Sequence, residues 1–576
     1  MSNLHPGLIL LAASFIVAFL PQLLRRIVLV IAPVLAGIVY FQLDSGLDLN
    51  IMGMGSYELH YLYTDKLSLL FGLIIAGLSL ISSVFTYHNG NKKLIMSILA
   101  ASGSAFGVVF AHDWITFLFS WELMIVASTF MIWSRQTSNA RQAGLRYLIL
   151  HMIAANLLLE ATFVNAFEGN TMITPIIDAG TELYWLVLLF LSIGAALFPL
   201  HAWVPDSCSE STLTGSIVLS AYVPMCAVYS MIRVFSGQDI LIYLGIVTAI
   251  YSALRALISD DIRRILSYSL SAQLGIAAVF VGAGSEQAVN AAAALAFAGV
   301  FGNAILFMSG MIVIRSLGGE QKLSQMGNMV KHQPVAAVGF LLGGLTVTGV
   351  PLLGGFTGFS LGSNAVAEVC GTWAAVCLSI AQAGIFLAIV LRAFWFIFYT
   401  ENRGAKVSDI VPGNVYPPLI TAGIVCILLG VYPGIITDLY PYPAANYTIF
   451  NASSILSVLQ AVTASCIVFK FLYNILKPQR GLLLDIDWIY RYIADVVITN
   501  GSHLLCAVSS ALGSGWKQLY VKFMELTSNP MEFLDARPFR EKRKYDPENY
   551  RTSIADPIMI TLTVLVFAVG YFVSSL

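Results

Sequence analysis

The sequence predicts an all-α polytopic membrane protein of about sixteen transmembrane helices, arranged as two inverted five-helix repeats with broken helices. Three observations predict it. First, the 576 residues are 58% hydrophobic and only 11% charged, where a soluble domain carries about 25% charged residues. Second, positive charge recurs on every other loop. Third, two proline- and glycine-rich breaks interrupt apolar runs that lie five helices apart.

Taken in order, the apolar runs fall at 7–24, 27–43, 66–86, 94–111, 114–133, 144–166, 183–203, 212–235, 239–258, 262–283, 288–315, 333–369 (broken), 372–399, 417–437, 453–475 and 556–575. Arg25/Arg26, Lys92/Lys93, Arg135/Arg141, Arg263/Arg264, Lys322/Lys331, Arg403/Lys406 and Lys477/Arg480 follow helices one, three, five, nine, eleven, thirteen and fifteen. The intervening loops are acidic or neutral: Asp44, Asp48 and Glu58; Glu168, Asp178 and Glu182; Asp239; Glu286; Asp438. Positively charged loops stay in the cytoplasm, so this alternation supports the helix count and places both termini outside it. Arg25 and Arg26 follow the first apolar run instead of preceding it, which argues against a cleavable signal peptide.

The chain divides into 1–93 (N-terminal helices), 94–258 and 259–400 (the two repeat regions), 401–476 (C-terminal helices), 477–555 (cytoplasmic segment) and 556–576 (last helix). Within 477–555, Asp487 to Leu526 mixes apolar residues with Arg491, Asp495, Lys517 and Lys522. It reads as an amphipathic helix on the membrane surface or along a neighbouring protein, with a weak extra span near 496–513 as the alternative. The charged run Ala536–Arg551 reads as a solvated linker before it reads as a docking patch.

The first break lies in Leu191–Arg233. An apolar helix stops at Pro205, and Asp206, Ser207, Ser209, Glu210, Ser211 and Thr212 follow before the next apolar run. Unwound backbone at membrane depth needs a protein-walled or watery cavity, and paired breaks mark the transport path of inverted-repeat transporters. The second break is GVPLLGGFTGFS, Gly349–Ser360. The net charge of −1 gives no reason to expect a nucleic-acid partner. The seven cysteines form no CxxC pair, and no histidine stands at metal-ligand spacing, so neither a metal nor another cofactor is expected.

LFSWELM (Leu118–Met124), ALFPLHAWVPD (Ala196–Asp206), DIRRILSYSLSAQLG (Asp261–Gly275), LFMSG (Leu306–Gly310), GVPLLGGF and LDIDWIYR (Leu484–Arg491) together resemble the antiporter-like subunits of respiratory complex I and of Mrp-type cation/proton antiporters. GLRYLILH (Gly144–His151) and LDIDWIYR incline toward the D-type branch of the Mrp subunits and related hydrogenase subunits. The resemblance implies a chain of buried ionisable residues at mid-membrane that moves protons, and sodium or potassium in Mrp assemblies. It implies partner membrane subunits in a hetero-oligomer and no catalytic chemistry of the chain's own.

Carried onto this sequence, the family's fifth-helix glutamate falls at Glu122. The family's lysines, histidine and twelfth-helix ionisable residue fall at Gly194, Met225, Gly299, Asn303 and Phe359, none of which titrates. The remaining path candidates are Arg146, His151, Glu160, His201 and Asp206, because intramembrane ionisable residues are functional by default. The expected function is a D-type Mrp-like member of a multisubunit antiporter in a bacterial inner membrane, with an interrupted proton path. The alternative is a non-conducting scaffold or coupling subunit of a complex-I-like or hydrogenase-like assembly.

Overall fold

The structure is a computed structural model that describes residues 4–52, 58–167, 169–401, 407, 411–443, 449–479, 485–486, 488, 509–510 and 513–524. Among the described residues, twelve helices are long and apolar enough to cross a membrane, and three shorter apolar helices accompany them. In order, the elements are α1 (Pro6–Val17), α2 (Gln22–Tyr40), the strands β1 (Asp48–Met52) and β2 (Glu58–Tyr63), α3 (Lys66–Thr86), α4 (Lys92–Phe110), α5 (Trp114–Trp133), α6 (Ser138–Phe167) and α7 (Glu182–Gly194). There follow α8 (Trp203–Glu210), α9 (Gly215–Leu219), α10 (Tyr222–Val234), α11 (Asp239–Ile258), α12 (Ile262–Ala283) and α13 (Glu286–Ser316). The last group is α14 (Met329–His332), α15 (Pro334–Val347), α16 (Gly354–Val369), α17 (Thr372–Phe386), α18 (Tyr416–Val431), α19 (Gly434–Thr437) and α20 (Ala452–Leu476).

Side-chain caps start many of the spans, as polar residues before apolar runs should. Asp65 and Ser68 form a reciprocal capping box on α3, and Asp113, Asp261 and Ser285 cap α5, α12 and α13. The apolar windows of α12 and α13 are 100% buried, against 17% for α20. Helices apolar all round belong at the centre of a bundle, so α12 and α13 form its core and α20 lies at its rim. Gly245 of α11 and Gly275 of α12 let these two backbones meet: a Cβ on either would press on the other's carbonyl, the small-residue contact typical of membrane helices.

Three expectations need correction. The first apolar run is a short helix, α1, and the second helix begins at Gln22, before Arg25 and Arg26. The 44–63 loop is a two-stranded antiparallel hairpin with an irregular register at Leu49/Asn50. The first break comes earlier than Pro205: α7 ends at Gly194, and Pro205 lies in the first turn of α8. A proline there removes only an N–H that has no intrahelical acceptor anyway, so it starts a helix here and does not end one. The second break falls where expected, between α15 and α16.

The chain forms two units, 1–487 and 488–576. In the second, 513–524 is helical, with Trp516, Leu519, Tyr520 and Phe523 exposed. The charged run 536–551 and the last apolar run 556–575 lie outside the described residues.

Candidate functional site

The first break is closed by the protein itself. Trp203 Nε1 donates to the Ile193 carbonyl at 2.7 Å, one of the orphan acceptors at the end of α7. The Phe198 N–H donates to Thr248 Oγ1 at 2.8 Å, and the Leu197 N–H to the Ser192 carbonyl at 2.9 Å. The second break is treated alike: Gln382 Nε2 donates to the Thr348 carbonyl at 2.7 Å. Below α8, the guanidinium of Arg263, 1% exposed, donates to the carbonyls of Ser211 and Thr212 and to the Ser216 hydroxyl. It thereby fills the gap between α8 and α9, a larger duty than the topological one its sequence position suggests.

The ionisable candidates separate. Glu122 is half-buried, beside the exposed Phe119, Leu123 and Val126. It lies at the edge of the outward face of α5; the residue that points inward is its neighbour Trp121. Arg146 makes a bidentate ion pair with Asp206, at 2.8 and 2.9 Å, and so ties α6 to α8. His151 is buried against Trp203 and Tyr147, with Nδ1 3.0 Å from the Tyr147 carbonyl. Glu160 is exposed on the outward face of α6. Arg233 pairs with Asp65 at 2.7 Å at the end of α10, while Glu210 pairs with Arg135 at 3.1 Å. Burial alone would raise the Asp65 carboxyl, but Arg233 and the Ser68 cap outweigh it and hold the group below the usual carboxylate range.

His201 meets a partner that sequence reasoning did not single out. Asp485, from the LDIDWIYR motif, reaches back to the break, with Oδ1 3.7 Å from His201 Nε2 and 3.9 Å from Arg255 Nε. It accepts hydrogen bonds from the hydroxyls of Tyr251 and Tyr268. Burial pushes this carboxyl up, and the surrounding His201, Tyr251 and Tyr268 more than reverse that, leaving it well below the ordinary value. The available signal was an acid standing directly after the apolar run Gly481–Leu484.

The five non-titrating positions are packed in two ways. At Gly194, a Cβ would lie 2.9 Å from Trp121 Cη2. The indole, fully buried against Phe190 and Phe117, fills the space a side chain there would need. At Phe359, the ring covers Gly349, whose φ of +65° and lack of a Cβ both suit the break. Met225, Gly299 and Asn303 share one cavity of about 30 Å³ with Gln273. Asn303 Nδ2 donates to Gln273 Oε1 at 3.1 Å and to the Gly299 carbonyl at 2.8 Å. That volume holds one or two waters, and the polar side chains lining it, Ser220, Gln273 and Asn303, are all neutral.

Residues 111–385 match the family described as NADH:quinone oxidoreductase/Mrp antiporter, transmembrane. That stretch is similar to this family. A NAD(P)H-quinone oxidoreductase chain 4 from Synechococcus sp. (strain JA-2-3B'a(2-13)) is 26% identical over 411 residues, covering 66% of this chain and 77% of the relative. The fold is similar to that of a chain in the Mrp complex of Dietzia sp. DQ12-45-1b, with a TM-score of 0.74 and 20% identity, over 98% of this chain and 66% of that one. It is similar as well to a chain of respiratory complex I from Thermus thermophilus, with a TM-score of 0.68 and 19% identity, over 79% of this chain and 99% of that one. The matched stretch contains Glu122, both helix breaks and all five non-titrating positions. The antiporter fold is therefore kept where ionisable residues are expected, with Trp121, the Gln273–Asn303 amide pair and Phe359 filling that space.

Proposed function

We propose that this chain is a D-type Mrp-like membrane subunit of a multisubunit monovalent cation/proton antiporter, with an interrupted proton path. It sits in a bacterial inner membrane with both termini outside the cytoplasm. The observation that carries the reading is the closure of both helix breaks by the chain's own side chains. In transporters such half-helix ends face ions and substrates. Here Trp203, Thr248 and Gln382 take the free backbone groups, while Trp121 and Phe359 fill the adjoining space. Carrying a charge through such packing costs at least ~2.5–3.5 kcal/mol on insertion scales. Transport then belongs to the partner membrane subunits, with protons and sodium or potassium as the ions, and this chain holds or couples them. GLRYLILH and LDIDWIYR support the Mrp branch. The relative named as a quinone oxidoreductase chain supports the second reading, a scaffold or coupling subunit of a complex-I-like or hydrogenase-like assembly.

The test is complementation in a strain lacking its own sodium/proton antiporters. Salt tolerance should return only when the chain is expressed with its partner subunits, and its return with this chain alone overturns the proposal. In the assembled complex, Glu122→Gln should leave transport within about twofold of the parent; a larger loss with assembly intact puts Glu122 back on an ion path. The proteins that copurify with the chain separate the two readings: small Mrp-type membrane proteins support the first, redox subunits the second.

A further inference from the structure

At the hairpin end of the molecule, far in sequence from both breaks, three potential ligands converge. Asp48 comes from β1, His60 from β2 and His112 from the turn between α4 and α5. Asp48 Oδ1 lies 2.8 Å from His60 Nδ1, and Asp48 Oδ2 lies 3.4 Å from His112 Nδ1. One ligand atom from each of the three residues lies within 4.8 Å of the others. The ligands of a tetrahedral zinc ion, with Zn–N and Zn–O bonds near 2.0–2.1 Å, stand about 3.3 Å apart, so the set needs only small adjustments to enclose one.

The three residues are held in place from outside the cluster. The His60 N–H donates to Asp113 Oδ2 at 2.7 Å, and the His112 N–H donates to the His60 carbonyl at 3.1 Å. The His112 ring stacks on Tyr63 at 3.9 Å, and Tyr63 in turn faces the Arg233 guanidinium. With His60 Nδ1 toward Asp48, its other nitrogen, Nε2, lies 3.8 Å from Glu58 Oε2. A carboxylate behind the far nitrogen of a ligating histidine is the usual outer support of a metal site. His60 is buried, His112 half-buried and Asp48 exposed, which leaves an open side for a water as the fourth ligand.

The geometry points to a binding site for a divalent transition-metal ion of the zinc class at Asp48, His60 and His112. Two imidazoles and one carboxylate suit zinc and disfavour magnesium or calcium, which take oxygen ligands. A bound ion fastens the hairpin to the α4–α5 turn, one aromatic ring away from the Asp65–Arg233 pair. Sequence spacing hid the set, because its members come from three separate elements.

The test uses the full chain, purified in detergent with an affinity tag free of histidine and stripped with a chelator. Equilibrium dialysis against Zn²⁺ should load one ion per chain, dialysis against Mg²⁺ none, and Co²⁺ should give the visible absorption of a tetrahedral site. His112→Gln and Asp48→Asn should abolish the cobalt bands, and Glu58→Gln should weaken zinc binding roughly tenfold. His112 and Asp48 are the preferred positions because neither is fully buried, and an unchanged unfolding temperature in chelator certifies each variant as folded. Absence of zinc binding by the parent chain overturns the proposal. So does zinc binding that folded His112→Gln and Asp48→Asn retain in full.

Discussion

Single side chains decide what the break regions can do. Trp121 and Gly194 behave as one unit, because the indole occupies the space beside the missing Cβ. Gly194→Ala should destabilise the chain by about 1–3 kcal/mol through overpacking, and Trp121→Ala by about 3–5 kcal/mol through the cavity it leaves. The double variant should recover part of the sum, with a coupling of about 0.5–3 kcal/mol. Thermal unfolding of the four proteins in one detergent measures it, and strict additivity would refute the fit. Asp485 supplies the pH dependence. Its folded carboxyl sits below the ordinary range, so its stabilisation is present above the unfolded value, near 3.9, and is lost as the pH falls through the folded one. Asp485→Asn should therefore cost about 3–5 kcal/mol at neutral pH, the usual loss when one side of a buried charged cluster is removed. The gap between parent and variant should narrow only in acid. Unfolding temperatures at several pH values read this directly, and a gap constant down to the acid limit would exclude Asp485 as its source.

Elements fail or hold by where their free backbone groups go. Both breaks survive inside a bundle because side chains from neighbouring helices reach the half-helix ends. Thr248 of α11 and Trp203 of α8 serve the first, and Gln382 of α17 serves the second. Gln382→Leu leaves the Thr348 carbonyl without its side-chain donor and should cost about 1–3 kcal/mol, read as a lower unfolding temperature. No change would mean that the carbonyl has found another donor. The same reasoning explains why the polar run after Trp203 is helical. Once the chain has turned at 195–202, Pro205 fits a first turn and Asp206 is fixed by Arg146.

For the whole molecule, burial separates a core that packs only on protein from a rim that does not. Cys208, Cys226 and Cys426 lie inside, and Cys466 lies exposed on α20. In the isolated folded chain, a small membrane-permeant maleimide should modify Cys466 and spare the other three until the protein is denatured. Mass spectrometry of the peptides reports it, and early labelling of Cys226 would contradict the packing of α10. Protection of Cys466 in the assembled complex would place a partner protein on α20.

The sequence by itself determined what depends on composition and local pattern. Long apolar runs must become helices in a bilayer, because only a helix satisfies its own backbone there, and the spans at 66–86, 114–133, 239–258 and 262–283 were readable almost to the residue. That the apolar pattern breaks twice was legible, the second break at its glycines, whereas Pro205 placed the first too late, after the turn that follows Gly194. Also legible was the absence of titrating groups at Gly194, Met225, Gly299, Asn303 and Phe359. Only the tertiary structure decided what fills those places and which charges meet, because both depend on contacts between residues far apart in the chain. Trp121 covers a glycine 73 positions away, Gln273 pairs with Asn303, and Arg146 takes Asp206 and leaves Glu122 at the outer edge of α5. Asp485 reaches His201 from beyond the last described span, and Asp48, His60 and His112 come together from three elements. Periodicity tells a helix which face to bury; it does not say which neighbour will be buried against it.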